Sequence, residues 1–134
     1  MASIRKEFTI EANVEDVWSA ARDVGALHTR LAKGFVVDTR LDGEARIVTF
    51  ANGTVARELI VDIDEAQRRL VWAVVGGRMT HHNASLQVFA EGEGRTRAIW
   101  TADLLPNELK GPISAMIDAG ALAIQRTLAR SGGA

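Results

Sequence analysis

The sequence has no cysteine, which removes disulfides, thiolate metal sites and cysteine nucleophiles together. It has no tyrosine either, so no phenol can serve as a general acid or an oxyanion donor. No apolar run reaches the roughly 18 residues that a membrane-crossing helix needs. The opening MASIRKEFTIEANVED lacks the apolar core of a signal peptide, and the cytoplasm is the expected location. A single excess charge also argues against some partners. With 16 basic and 17 acidic side chains the formal net charge is −1, and the basic residues are scattered singly or in pairs such as Arg5-Lys6 and Arg68-Arg69. Neither nucleic acid nor membrane insertion is expected.

What is present fits one soluble domain over residues 1–134. Hydrophobic residues make up 47% and charged residues 25%, a balance that can bury a core without staples. No internal repeat, low-complexity tract or linker interrupts it.

The longest helical pattern closes the chain, over residues 106–130. Ile113, Met116, Ile117, Gly120, Ile124 and Leu128 recur at spacings of three and four, one stripe of a 3.6-residue helix. Pro112 suits its first turn, and Ser131-Gly132-Gly133 is read as its stop. Ahead of it the pattern predicts a first strand over residues 3–10. A helix follows, capped by Asn13, with an apolar face of Val14, Val17, Trp18 and Ala21. Asp23 opens a second short helix in which Val24, Leu27 and Leu31 align, closed by Lys33-Gly34. His28 flanks that stripe, either as a rim histidine or as a polar group aimed into what the helices enclose.

Six more strands are expected, over residues 35–41, 45–51, 54–64, 69–75, 80–90 and 96–104. Asn52-Gly53 is a strong hairpin signal, read as a two-residue turn. That register puts Arg46, Val48, Phe50, Val55, Arg57, Leu59, Val61 and Ile63 on the inward face. Arg57 then sits among apolar neighbours and must be paired or hydrogen-bonded, because a bare buried guanidinium costs several kcal/mol. Two roles suit it: an internal ion pair or snorkelling arginine, or a fixed cation for a ligand carboxylate or enolate. Arg46, near the strand end, is expected to reach solvent. Further on, Leu70, Trp72 and Val74, then His82, Ala84, Leu86 and Val88, then Ala98, Trp100, Ala102 and Leu104 are assigned inward, with His81 outward. Small residues recur on these faces, so a cavity between sheet and helix follows, unless the three tryptophans fill it.

Familiar motifs are absent. His81 and His82 point to opposite faces of a strand and cannot readily share an ion, so no metal site is expected. Gly92-x-Gly94 joins two strands and is a hairpin turn, not a dinucleotide fingerprint. No cofactor is expected. His28 and His82 are the candidates for proton transfer, and no catalytic residue is assigned.

One strand, two short helices, six strands and a long C-terminal helix is the order of the helix-grip fold. The chain resembles the SRPBCC superfamily, the START-like and birch-pollen-allergen-like proteins, and within it the polyketide cyclase/dehydrase-like group. The resemblance is carried by ANVEDVWSAARDVGALHTRL, ARIVTFANGTVARELIVDID, RRLVWAVVGG and IWTADLLPNELKGPISAMIDAGALAIQRTL, which span nearly the whole chain. It implies an α+β fold, a seven-stranded antiparallel sheet curved around the C-terminal helix, with an apolar cavity between them. The expected partner is a small, largely hydrophobic molecule, lipid-, polyketide- or aromatic-like; a homodimer is compatible with this. Arg57 and His82 would orient its polar end, and Trp72, Trp100, Met116, Ile117, Gly120 and Ile124 would line the rest. Met79, the Gly76-Gly77 loop and His28 would guard the entrance. The alternatives are a polyketide cyclase/dehydratase-type enzyme using a cavity histidine with Arg57 and, ranked last, an Hsp90-activator-like interaction module.

Overall fold

The structure, a computed structural model, describes residues 1–129. Strand β1 (Ala2–Ile10) leads into helix α1 (Val14–Arg22), a 3₁₀ turn (Val24–Ala26) and a single π-helical turn (Leu27–Leu31). Strands β2 (Val36–Asp42), β3 (Ala45–Phe50), β4 (Val55–Asp64), β5 (Arg69–Val75), β6 (His81–Ala90) and β7 (Thr96–Leu105) follow. A 3₁₀ turn (Asn107–Leu109) then delivers helix α2 (Lys110–Leu128). The residues read as its stop, Ser131-Gly132-Gly133, lie outside the described residues.

All seven strands form one antiparallel sheet in the order β1-β7-β6-β5-β4-β3-β2, curved around α2 as the helix-grip resemblance implies. The α2 stripe faces the sheet: Ile117, Gly120, Ala121 and Ile124 are buried, with Ile113, Met116 and Leu128 packed beside them. Each buried isoleucine contributes about 1.5–3 kcal/mol from area removed from water. The helix is pinned to the β1 edge by Gln125 Nε2, which donates to the Thr9 carbonyl at 2.8 Å, and by Lys6–Asp118 at 3.1 Å. Helix α1 is tied to the β4–β5 turn through Glu65, which accepts from Trp18 Nε1 at 2.7 Å and from Arg22 Nε at 2.8 Å. The Arg22 guanidinium, helped by Trp18, holds the Glu65 carboxyl below its ordinary pKa.

The β3–β4 hairpin departs from the expected register by one residue. Gly53 N–H bonds the Phe50 carbonyl at 2.9 Å and Phe50 N–H bonds the Thr54 carbonyl at 2.8 Å, so the loop has three residues, 51–53. Gly53 takes φ +90°, and Asn52 spends its side chain on the Thr54 N–H at 2.9 Å. Asn-Gly serves this type I turn plus left-handed glycine as well as it serves a two-residue turn. Thr49 therefore faces Val55, Ile47 faces Arg57 and Arg46 faces Glu58. Because side chains alternate, the slip turns all of early β4 over. Val55, Arg57, Leu59 and Val61 lie exposed on the outer face, whereas Ala56, Glu58 and Ile60 point inward. A bulge at Val61, between the pairs Ile60–Trp72 and Asp62–Val71, switches the alternation again and restores Ile63 to the inner side.

The small residues do not mark the hollow. Ala84, Ala98 and Ala102 are buried in a continuous core with Val17, Trp18 and Ala121. The space left by Gly120 is taken by the Trp100 ring: a Cβ there would lie 2.8 Å from two Trp100 atoms and 3.1 Å from Phe35. Gly120→Ala is accordingly expected to lower stability by about 1–3 kcal/mol, as overpacking does. Urea denaturation with tryptophan emission checks this, and pairing it with Trp100→Phe should recover part of the loss.

Candidate functional site

A cavity of about 510 Å³ lies between the sheet and the N-terminal half of α2. Its floor is Arg46 and Phe50 from β3, Ala56 and Glu58 from β4, Leu70, Trp72 and Val74 from β5, and His82 and Leu86 from β6. Ile113, Met116, Ile117 and Ile124 roof it, and Leu27, Leu31, Phe35 and Val36 close one side. Asn52, Thr54, Gly76, Gly77 and Arg78 line it and are exposed, which sets the mouth between the β3–β4 turn and the β5–β6 loop. The walls are aromatic. Trp72 and Trp100 are tilted at 59° with centroids 6.1 Å apart, and Phe35 meets Phe50 edge-on at 5.3 Å.

Of the residues singled out in the sequence, Trp72, Met79, His82, Trp100, Met116, Ile117 and Ile124 line this cavity, Met79 beside the mouth. Three do not. Gly120 is covered by Trp100. His28 is half-buried on the turn whose Leu27 and Leu31 face the cavity; its own ring lies off that lining, with Nδ1 buried and unpaired. Arg57 stands on the outer face, its side chain 43% exposed, and donates to Asp42 Oδ2 at 2.7 Å. That contact holds the Asp42 carboxyl below its usual pKa.

The guanidinium inside is Arg46, whose place near the strand end suggested an exit to solvent. Its side chain is 3% exposed and its Nε donates to Glu58 Oε1 at 2.8 Å; Glu58 is 8% exposed. Arg46 Nη1 reaches the Val24 carbonyl at 3.3 Å, and Cζ lies 5.6 Å over the Trp72 ring. One signal could have found the pair: in the three-residue register the two charges stand opposite each other and cancel.

The polar groups form a row across the sheet. Arg46, Glu58 and Val74 are successive partners on β3, β4 and β5. The β5–β6 ladder ends at Ala73 opposite Asn83, and His82 is the next residue of β6 beyond that pair. His82 Nδ1 is buried with no partner, while His81 is exposed on the other face. Burial, with the nearby His81, lowers the His82 pKa from 6.5. Among the described residues no group of three or more acidic or histidine side chains is placed to hold a metal ion, and no helix is long and apolar enough to cross a membrane.

A seven-stranded sheet gripping a long helix over an apolar cavity defines the START-like, helix-grip class. The chain belongs to the family described as polyketide cyclase / dehydrase and lipid transport, whose model matches residues 1–131. Among solved structures it is similar to a START superfamily protein from Mycobacterium smegmatis, at 13% identity and TM-score 0.79, covering 94% of this chain and 96% of that one. A protein from Thermobifida fusca is 27% identical, TM-score 0.72, with 95% of each chain covered. Norcoclaurine synthase from Thalictrum flavum, solved with dopamine and hydroxybenzaldehyde, is 17% identical with TM-score 0.62, over 93% of this chain and 87% of that one. No curated protein matches.

Two predictions follow from the site's electrostatics. Arg46→Met alone should cost about 3–5 kcal/mol by stranding a buried carboxylate, whereas Arg46→Met with Glu58→Met should recover most of it. Arg57→Ala should cost less than about 1 kcal/mol; chemical denaturation ranks the three. The second concerns His82. Its folded pKa lies below the unfolded one, so the unfolded chain takes the proton first and stability falls as pH drops through about 6.5 toward the lower folded value. His82→Gln should therefore shrink the Tm difference between about pH 7.5 and about pH 5.5.

Proposed function

We propose that the protein binds a small, largely hydrophobic molecule, lipid-, polyketide- or aromatic-like, in the cavity between the sheet and α2. The observation that carries this is one hollow of about 510 Å³, walled by Trp72, Trp100, Phe50, Met116 and Ile117 and holding a single buried ion pair. Apolar walls with a few fixed polar groups, in a volume between about 300 and 1,000 Å³, are what small-molecule sites use. Arg46 with Glu58, rather than Arg57, would orient its polar end together with His82, and Met79 and the Gly76-Gly77 loop would guard the mouth. The cytoplasm remains the expected compartment, and a homodimer is compatible with this reading.

A second reading, a cyclase- or dehydratase-type enzyme acting on a polyketide-like or aromatic substrate, draws on His82. An unpaired, neutral imidazole in the same cavity as a buried guanidinium has the makings of a base beside an enolate-stabilising group. In that case His82→Gln spares affinity and removes turnover.

Fluorescence of N-phenyl-1-naphthylamine on titration with the protein tests the binding reading. Emission should rise saturably, and Met116→Trp, which fills the roof of the cavity, should weaken binding about tenfold or more while leaving the circular dichroism unchanged. Absence of any rise, with no small molecule retained in native mass spectrometry, would remove the proposal.

A further inference from the structure

The Arg46–Glu58 pair satisfies itself only in part. A guanidinium has five N–H donors. Arg46 uses Nε on Glu58 Oε1 and Nη1 on the Val24 carbonyl, and among the described residues nothing accepts from Nη2. Glu58 Oε2 likewise receives no hydrogen bond, and both residues line the cavity. A donor and an acceptor with spare capacity thus lie side by side in an apolar chamber, at the end floored by Trp72. Their charges cancel over 2.8 Å.

That cancellation decides what the pair can hold. A carboxylate reaching for Nη2 would meet the Glu58 carboxylate at once, after losing its own hydration, and both costs are large where water is excluded. A hydroxyl accepts from Nη2 and donates to Oε2 together, and brings no charge. The other cavity groups do not change the balance. His82, on the next strand but one, is neutral near pH 7, and Arg78 stands exposed at the mouth where water screens it. Resting on the binding reading above, we infer that the cavity selects neutral ligands whose aromatic body ends in a group that both gives and takes a hydrogen bond, such as a phenol, and rejects aromatic carboxylates.

Titration calorimetry of the full chain at about pH 7 with 2-naphthol, 2-naphthoate and 2-methoxynaphthalene tests this. The naphthol should bind about tenfold or more tighter than the naphthoate, and also tighter than the methyl ether, which can only accept. Glu58→Gln leaves Arg46 as an uncompensated cation, and the order of naphthol and naphthoate should reverse. Should that variant fail to fold, Arg46→Met with Glu58→Met replaces the pair by apolar groups of similar length. Naphthol should then lose its advantage over the methyl ether. Equal binding of naphthol and naphthoate to the unaltered chain, or an unchanged ranking in the variant that folds, overturns the inference and leaves the cavity reading intact. Binding of none of the three removes both.

Discussion

One buried contact, Arg46 Nε to Glu58 Oε1 at 2.8 Å, joins residues twelve apart in the chain and depends on the length of the turn between them. With three loop residues the charges oppose each other on the inner face. With two, Glu58 would turn outward and Arg57 inward, and the face would hold two guanidiniums and no acid. Burying an unpaired ion costs several kcal/mol, a large share of a small domain's stability. The electrostatics of the cavity floor and the geometry of the hairpin are therefore one constraint. Either register offers aliphatic side chains to the interior, so hydrophobicity alone discriminates weakly between them. Charge settles it.

The same molecule is solid at one end and hollow at the other. Where α2 meets β1, Gln125 and Lys6 hold the helix down, and alanines on β6 and β7 let the core close under it. Trp100 fills what Gly120 vacates and stops there, its other side turned to the cavity. Toward the start of α2 the strands β3 to β6 carry larger aromatic and polar groups, yet the volume stays open. Close packing near the β1 edge stabilises the grip, which lets the opposite half remain unfilled, since the cost of an unfilled volume is borne by contacts elsewhere.

Much of this was legible in the residues. The order of elements, the α2 stripe and the inward set of β7 follow from periodicity, and the alternating polar residues Asn83, Ser85 and Gln87 separate the faces of β6, whereas β5 is apolar on both sides. The hairpin was different. Asn-Gly specifies a reversal but not its length, and a slip of one residue exchanges every side chain across the sheet. A two-residue turn therefore places Arg57, Val55, Leu59 and Val61 inward and Glu58 outward, and leaves Arg46 on the inner face without its partner. The bulge at Val61 left no mark in the sequence that periodicity could detect. His28 sits one residue from Leu27 on a π-helical turn, where a step of one residue swings the side chain off the face that Leu27 and Leu31 share. The helix stripe revealed Gly120 but not its occupant, which comes from a strand twenty residues earlier.

A self-neutralising anchor also separates stability from occupancy. Had a lone arginine faced the cavity, the empty protein would carry an uncompensated ion in an apolar chamber, and a bound anion would be required to relieve it. With Glu58 opposite, the unfilled state costs only the unused hydrogen-bonding capacity of Nη2 and Oε2, which water can satisfy through the mouth between Asn52 and Arg78. On the proposed binding reading, a ligand would have to displace that water and match its bonds, so its gain would come mainly from the aromatic walls, with the pair setting its direction. The helix-grip scaffold that this chain shares with norcoclaurine synthase at 17% identity shows the fold alone; what goes into the chamber is decided by which polar groups each chain sets on the strands beneath it. Here that choice is an ion pair of zero net charge and a neutral imidazole, and the proposed preference for an uncharged molecule rests on it.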